Sequence, residues 1–343
     1  PSMAQLVVAS GAPEHFDLSS VDRVTLSSAP APAGLWDELA KAFPRAELFN
    51  AYALTESGGA RTLMRHDPAR PHAVGLPVGE TQVRVVSEGA DDVRAGATGE
   101  VWLRRPGAPR REYYRDPEAT EAAFAGDWLR TGDLGFLDAD GYLHLVDRSK
   151  DVIITGGLNV SSLEVEDALY EHPAVLEAAA FALPHPVLGQ DVAAAVVLGA
   201  PADARELQAF VRARLAEHKV PHRVIIVDSL PRNASGKVVK RELRDRLAAL
   251  PAAGQGPRPP APARDEVQAT VLAVWREVLG SDEIGVDDDF FDLGGHSLAA
   301  AQVVARLRDA FDLDLPVTAV FDHPSVAELA AVVAAGAPAA SPS

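Results

Sequence analysis

The residues with the clearest chemical potential lie late in the chain, in the run Asp289-Phe290-Phe291-Asp292-Leu293-Gly294-Gly295-His296-Ser297-Leu298. The paired glycines permit a tight turn, and Ser297 follows them where a helical pattern begins. A phosphodiester on that hydroxyl would meet the free N–H groups and the positive dipole end of the helix. A bare Gly-Gly-x-Ser string serves an N-cap serine equally well. Further polar runs are spread upstream: Tyr52-Ala53-Leu54-Thr55-Glu56, Arg130-Thr131-Gly132-Asp133, Asp147-Arg148-Ser149-Lys150-Asp151, Gly156-Gly157-Leu158-Asn159, and Pro231-Arg232-Asn233-Ala234-Ser235-Gly236-Lys237. Taken singly these are ordinary pieces. Asp140-Gly141 reads as a hairpin turn, and the arginines and lysines as solvated charges.

Several chemistries are excluded. No Gly-x-x-x-x-Gly-Lys-Ser/Thr loop and no Gly-x-Gly-x-x-Gly fingerprint occurs. The 343 residues contain no cysteine, which removes disulfides and thiolate metal sites. The 10 histidines lack ligand spacing, and His172, His185 and His323 each precede a proline, as turn or cap histidines do. With 49 acidic against 32 basic side chains, the net charge of −17 repels a phosphate backbone, so no nucleic acid partner is expected. No apolar run of about 18 residues is long enough to span a bilayer, and no signal-like start is present, so the expectation is a soluble, cytoplasmic protein without a membrane partner.

The elements that must position these residues fall into blocks. Residues Val267, Val271, Val274 and Val278 form one helical stripe, Ala300, Val303, Val304, Leu307 and Phe311 a second, and Val326, Leu329, Ala330 and Val333 a third behind Pro324 and an N-cap Ser325. Residues 265–335 are therefore a small helical bundle, and its 14 acidic side chains against 3 arginines make it the acidic end, at 3 − 14 = −11. The Pro-, Ala- and Gly-rich stretch from Pro251 to Arg264 reads as a semi-rigid linker in which nothing packs, and Gly336 to Ser343 as a disordered tail. Before the linker, strands at Gln82 to Val86, Glu100 to Arg104, Asp151 to Thr155, Ala178 to Leu183 and Val192 to Leu198 alternate with helices at Ala33 to Phe43, Leu163 to Tyr170 and Ala204 to Glu217. Ser161 and Glu164 have capping-box spacing. This body is α/β or α+β.

The string Asp-x-Phe-Phe-x-x-Gly-Gly-x-Ser-Leu, inside an acidic helical bundle after a Pro-rich linker, resembles the carrier proteins of nonribosomal peptide and polyketide synthases. The resemblance implies a four-helix carrier over 265–335, with 4′-phosphopantetheine on Ser297, placed there by a phosphopantetheinyl transferase. The order of the upstream motifs resembles the adenylate-forming superfamily: acyl-CoA synthetases, peptide synthetase adenylation domains and luciferases. Tyr113-Tyr114-Arg115-Asp116-Pro117-Glu118-Ala119-Thr120 is closer to the acyl-CoA synthetases. The implied fold is multidomain. Residues 1–147 would be the later part of a large AMP-binding domain, α/β with a β-barrel remainder. Residues 148–250 would be a small mobile α+β subdomain.

The resemblance also assigns roles. Tyr52 would stack on adenine, beside a nucleotide-binding stretch Ser28-Ala29-Pro30. Thr55 would bond the α-phosphate, and Glu56 would hold Mg²⁺, a hard cation suited to a carboxylate. Asp133 would accept the ribose hydroxyls and Arg148 support the sugar. Lys237 would bridge the substrate carboxylate and the α-phosphate. Lys150 would be the hinge of a rotation between half-reactions, and Gly156 and Gly157 would let the pantetheine arm pass. The implied reaction uses ATP to activate a small carboxylic acid, releases pyrophosphate, and transfers the acyl group from AMP to the thiol on Ser297 for downstream synthase domains. An acyl-CoA ligase using free coenzyme A and a non-catalytic carrier fragment are the alternatives. The family's Ser/Thr/Gly-rich phosphate loop is expected ahead of Pro1. Ala53, Ser28 and Glu112 stand where the family usually has glycine.

Overall fold

The computed structural model describes residues 1–29, 31, 33–70, 72–185, 188–233, 236–248, 260–291, 293, 295 and 297–336. The linker as far as residue 259, the tail beyond residue 336 and Pro30 lie outside the described residues.

The first block begins with α1 (Ser2–Ala9), α2 (Ala12–His15), β1 (Arg23–Leu26), α3 (Ala33–Ala42) and β2 (Glu47–Ala53). Strands β1 and β2 pair in parallel, Arg23 opposite Glu47, and α3 is the crossover between them. Its Leu35, Trp36 and Leu39 are buried against Leu26 and Leu48. From β2 onward the sheet turns antiparallel through β3 (Arg61–Arg65) and β4 (Ala73–Pro77). The next elements are β5 (Gln82–Val86), β6 (Gly99–Arg104), α4 (Pro117–Ala123), β7 (Phe124–Ala125), β8 (Trp128–Leu137) and β9 (Leu143–Arg148). One sheet of 9 strands results, in the order β1-β2-β3-β4-β9-β8-β6-β5 with β7 on β8. The strands expected as a barrel remainder are its antiparallel part, around a core of Tyr52, Ala60, Val85, Val101, Leu103 and Leu143.

The second block holds β10 (Ile153–Thr155), β11 (Leu158–Val160), α5 (Ser162–Tyr170), β12 (Val175–His185), β13 (Gly189–Leu198), α6 (Ala204–Arg212), β14 (Arg223–Ile226) and α7 (Lys240–Ala248). Strands β12 and β13 are apolar on both faces because both faces are covered. Ala178, Ala180, Val192 and Val196 look toward the side closed by α5 and α6. Ala179, Phe181, Leu183 and Ala195 look toward Leu243 and Leu247 of α7. Ser161 caps α5, accepting from the Glu164 N–H at 3.3 Å. Helix α6 stops at Arg212, short of the expected Glu217: the Ala213, Arg214 and Leu215 N–H groups close the helix end, and a separate 3-10 turn follows at Glu217–Lys219.

The third block is α8 (Glu266–Leu279), α9 (Ser297–Phe311), α10 (Ala319–Asp322) and α11 (Val326–Gly336), so the third of the four helices is a single turn. Its core centres on Trp275, Phe290, Val303, Leu307 and Leu329. The stripe of valines on α8 is corrected: Val271 is buried, but Leu272 and Trp275 form the inner face with it, and Val267, Val274 and Val278 sit at its margin. The linker is corrected as well. Ala261 and Ala263 pack against the bundle core, and the Ala261 carbonyl accepts from the Val286 N–H at 3.0 Å.

Candidate active site

Strand pairing brings the first site residues together. Strands β8 and β9 place Asp133 opposite Arg148, and β2 carries Tyr52 to the same place. Asp133 is 5% exposed, and both its oxygens are engaged: the Tyr52 hydroxyl donates to Oδ2 at 2.5 Å and Arg148 Nε donates to Oδ1 at 3.0 Å. Burial, then the charge of Asp133, raises the Tyr52 hydroxyl well above its ordinary value, so the phenol stays a donor. The Tyr52 ring packs in the sheet core with Ala60, Val101 and Leu143, and its hydroxyl holds Asp133 in place. An anionic acceptor with two fixed donors and a half-exposed guanidinium is an arrangement that can take neutral hydroxyl donors such as those of a sugar.

Thr55 and Glu56 lie on a short 3-10 turn at the end of β2. The Ser57 hydroxyl braces that turn through the Leu54 and Ala60 carbonyls. Thr55 is exposed, and Glu56 is half-buried, accepting from the Tyr113 hydroxyl at 3.0 Å. Sequence reasoning missed this contact of Tyr113 with Glu56. Among the described residues no group of three or more histidine and acidic side chains could cage a metal. Magnesium held by one carboxylate together with nucleotide phosphates and water needs no such cage, so Glu56 fits the ion. Ser28 has φ 76, a left-handed conformation that costs a residue with a Cβ about 1–2 kcal/mol, which explains why glycine is the usual residue there.

The two sheets meet beyond β9. Lys150 is exposed in a turn held by the Asp151 and Val152 N–H groups, both donating to the Arg148 carbonyl. Asp147, just before it, is 3% exposed and accepts from the Ser162 N–H and hydroxyl at 2.5 and 3.1 Å. Lys240 donates to the Ser162 hydroxyl and pairs with Glu166, both at 2.6 Å. Burial raises both carboxyls, Asp147 and Glu166, against the pull of Lys240. This chain of contacts crosses the expected hinge, and sequence reading missed it because its members are up to 93 positions apart, 240 − 147.

A second contact at the boundary gives a pH dependence. Asp167 of α5 lies 3.5 Å from His72 Nδ1. Burial, then Glu171 and Glu164, pushes its carboxyl from 3.8 up to about 7. An acid raised on folding contributes stability below its unfolded value and loses it as pH rises through its folded value. Stability should therefore fall between about pH 4 and about pH 7, modestly because the side chain is 35% exposed to solvent screening. Asp167→Asn should abolish that fall and be the more stable form at alkaline pH. Urea midpoints on both sides of neutrality check this, and equal pH dependence in the two proteins would exclude Asp167 as the source.

Lys237 is exposed on a loop closed by the Arg232–Val238 bridge. Its described residues are braced. Asn233 Oδ1 accepts from the Lys237 N–H at 2.9 Å, and Arg232 donates to the Gly236 carbonyl and to Glu177, both at 2.7 Å. Ala234 and Ser235 lie outside the described residues. Among the described residues no contact joins Lys237 to Thr55, Glu56 or Asp133. Gly156 and Gly157, at φ 57 and 82, form the two-residue turn between β10 and β11, so hairpin geometry alone requires glycine there.

Ser297 is the first residue of α9. The loop ahead of it is pinned: the Phe290 N–H donates to the Pro324 carbonyl at 2.7 Å and the Gly295 N–H to the Phe290 carbonyl at 2.8 Å. A Cβ on Gly295 would stand 2.3 Å from the Phe290 ring, so at this position close approach excludes a side chain; Gly295 is not among the positive-φ glycines, and space rather than backbone angle calls for glycine here. Gly294 and His296 lie outside the described residues. The pinned loop sets a 15-residue helix N-terminus at the serine, which fits a phosphate ester.

Comparison with known proteins agrees with this division. Residues 1–114 match the AMP-binding enzyme family, residues 164–237 the AMP-binding enzyme C-terminal domain, and residues 269–333 the phosphopantetheine attachment site. The chain is 36% identical over 234 residues to a long-chain-fatty-acid–CoA ligase of Bacillus subtilis, covering 67% of this chain and 41% of the ligase. It is 33% identical over 310 residues to a linear gramicidin synthase of Brevibacillus parabrevis, covering 87% of this chain and 6% of the synthase. The O-succinylbenzoate coenzyme A synthetase of Bacillus subtilis, solved with ATP and magnesium ion, superposes with a TM-score of 0.61 at 31% identity, over 71% of this chain and 50% of that one. The chain thus spans half or less of the length of these relatives. An AMP-binding segment, that family's C-terminal domain and a phosphopantetheine attachment site follow one another here, and the protein belongs to the adenylate-forming, AMP-binding enzyme family with a carrier-type domain attached.

Proposed function

We propose that this protein takes part in a two-step ligation in which ATP activates a small carboxylic acid and the acyl group is stored as a thioester on Ser297. The observation that carries this reading is the presence, on one chain, of the Tyr52–Asp133–Arg148 cluster, an exposed lysine on a braced loop and a carrier-type domain. In the first step a carboxylate oxygen attacks the α-phosphorus of ATP, and pyrophosphate leaves. Asp133 and Arg148 hold the ribose, Thr55 bonds the α-phosphate, and Lys237 neutralises charge on the carboxylate and the phosphorus as it builds. Magnesium on Glu56 would add Lewis-acid stabilisation of the phosphates. In the second step the acyl carbon–oxygen bond to AMP is replaced by a bond to sulfur, and AMP leaves. The pantetheine group supplies the thiol. Gly156 and Gly157 flank its path, and Lys150 is the pivot that exchanges Lys237 for this hairpin. A phosphopantetheinyl transferase prepares Ser297, and downstream synthase domains receive the product.

The CoA-ligase relative favours a second reading, in which free coenzyme A is the acceptor. Intact-mass measurement separates the two in a protein of the relatives' full length that carries this segment. With acid, ATP and Mg²⁺ but no coenzyme A, an acyl adduct on the pantetheinylated carrier is expected. An adduct that never forms, alongside acyl-CoA that does when coenzyme A is added, would favour the second. Lys150→Pro in the same protein should keep one half-reaction and lose the other, because proline fixes φ near −65° and restricts the residue before it. Wild-type rates in both would move the hinge elsewhere.

A further inference from the structure

Helix α6 and the start of β14 carry a basic and aromatic face that the carrier-type domain covers. Arg205 Nη1 lies 3.2 Å from Glu328 Oε1, and Nη2 lies 3.7 Å from Asp289 Oδ2. The His222 ring stacks on Phe291 with centroids 5.4 Å apart, and Phe291 stacks in turn on Phe321 at 5.1 Å. The guanidinium of Arg212 sits over the Phe321 ring at 5.7 Å. On both sides the groups are held by their own domains. Gln208 donates to the Pro221 and His222 carbonyls at 3.0 and 2.8 Å, which fixes the backbone that carries the histidine, and Asp191 Oδ1 lies 2.7 Å from His222 Nδ1. Glu328 is tied to Ser325, whose hydroxyl donates to it at 2.8 Å. Although burial pushes the Glu328 carboxyl up, the Ser325 hydroxyl and Arg205 hold it below the usual carboxylate range.

We infer that the α6–β14 face is a resting dock for the carrier domain, built on Arg205, Arg212 and His222 and reading Asp289, Phe291, Phe321 and Glu328. Asp289 and Phe291 belong to the loop that leads to Ser297, so the dock grips the segment that presents the attachment point. Its residues are separate from the Gly156-Gly157 hairpin, the element that the function proposed above sets beside the arm. The chemistry suits reversible parking. Arg205 is 59% exposed, and exposed ion pairs and single ring contacts are individually weak. The short tether between α7 and α8 raises the carrier's effective concentration to about the millimolar range, enough to populate a weak contact without trapping it. The attraction is local, between Arg205 and the Asp289 and Glu328 carboxylates, and salt screens it.

The absence of cysteine allows clean labelling of the full chain, with Asp228→Cys on the small domain and Asp309→Cys on α9 carrying a donor and an acceptor dye. A compact, high-transfer population is expected, falling severalfold as salt rises from about 0.05 to about 0.5 M. Arg205→Glu should deplete it severalfold, and Arg205→Glu with Glu328→Arg should restore it. His222→Ala, which leaves every carrier residue intact, should deplete it too. A population indifferent to Arg205→Glu and to His222→Ala, or no compact population at all, overturns the dock. The readout needs neither ATP nor a substrate acid, so a negative result is distinct from failure of the ligase reading.

Discussion

Coexpression with a phosphopantetheinyl transferase should add one pantetheine arm to this chain, and Ser297→Ala should abolish the addition completely. The loop ahead of α9 is pinned at Phe290 and Gly295, and the acceptor is the first residue of a 15-residue helix. The product's charge would lie at the positive end of the helix dipole. Alanine removes the only atom to which the phosphate can be joined and leaves the bundle core, centred on Trp275, Phe290 and Leu307, untouched. The fold should therefore survive, and circular dichroism is the control. Intact mass reads the outcome directly. An arm still found on the alanine variant would move the attachment point to another hydroxyl.

The second large effect is expected at Lys237. In a protein of the relatives' full length carrying this segment, Lys237→Ala should slow acyl-adenylate formation by about 10²- to 10³-fold, the loss typical of one preorganised electrostatic contact. Pyrophosphate exchange measures it. The loop itself should persist, because its closure uses the backbone of Lys237, the side chains of Asn233 and Arg232, and Glu177. Transfer from a supplied acyl-adenylate should continue, since the bond between the carboxylate and the α-phosphorus that Lys237 helps to form is already made, and the proposed pivot at Lys150 takes the lysine away for the second step. Equal loss in both steps would show that Lys237 serves more than the first, or that its loss disturbs the small domain as a whole.

Most of the organisation was legible in the sequence because it is local. The stripes of α9 and α11, the Ser161 cap and the Asp140-Gly141 turn follow from periodicity and from side-chain-to-backbone bonds a few residues apart. The doubly apolar strands β12 and β13 announced a sheet covered on both faces. The end of α6 was overrun because nothing in the apolar pattern up to Glu217 marks the stop after Arg212, where local backbone bonds to the Val211 carbonyl close the helix. The inner face of α8 was misplaced because four evenly spaced valines outweighed a single Trp275 whose volume decides the packing.

What the sequence by itself determined is the inventory: an acidic bundle with Ser297 at a helix start, an α/β body, and motifs in the order of one family. The tertiary structure alone decided who touches whom. Tyr52 and Asp133 are 81 positions apart and meet because β2 reaches β8 through the intervening strands, which makes the tyrosine hydroxyl the donor that fixes a carboxylate. Asp147, Ser162, Glu166 and Lys240 become one buried network only when the two sheets are set against each other. The grip of Arg205 on Asp289 and Glu328 joins two domains across a tether. Periodicity and caps report on neighbours within a turn or two of backbone. The desolvated charge pairs and ring contacts that build these sites act through space between distant segments, and a linear pattern carries no record of them.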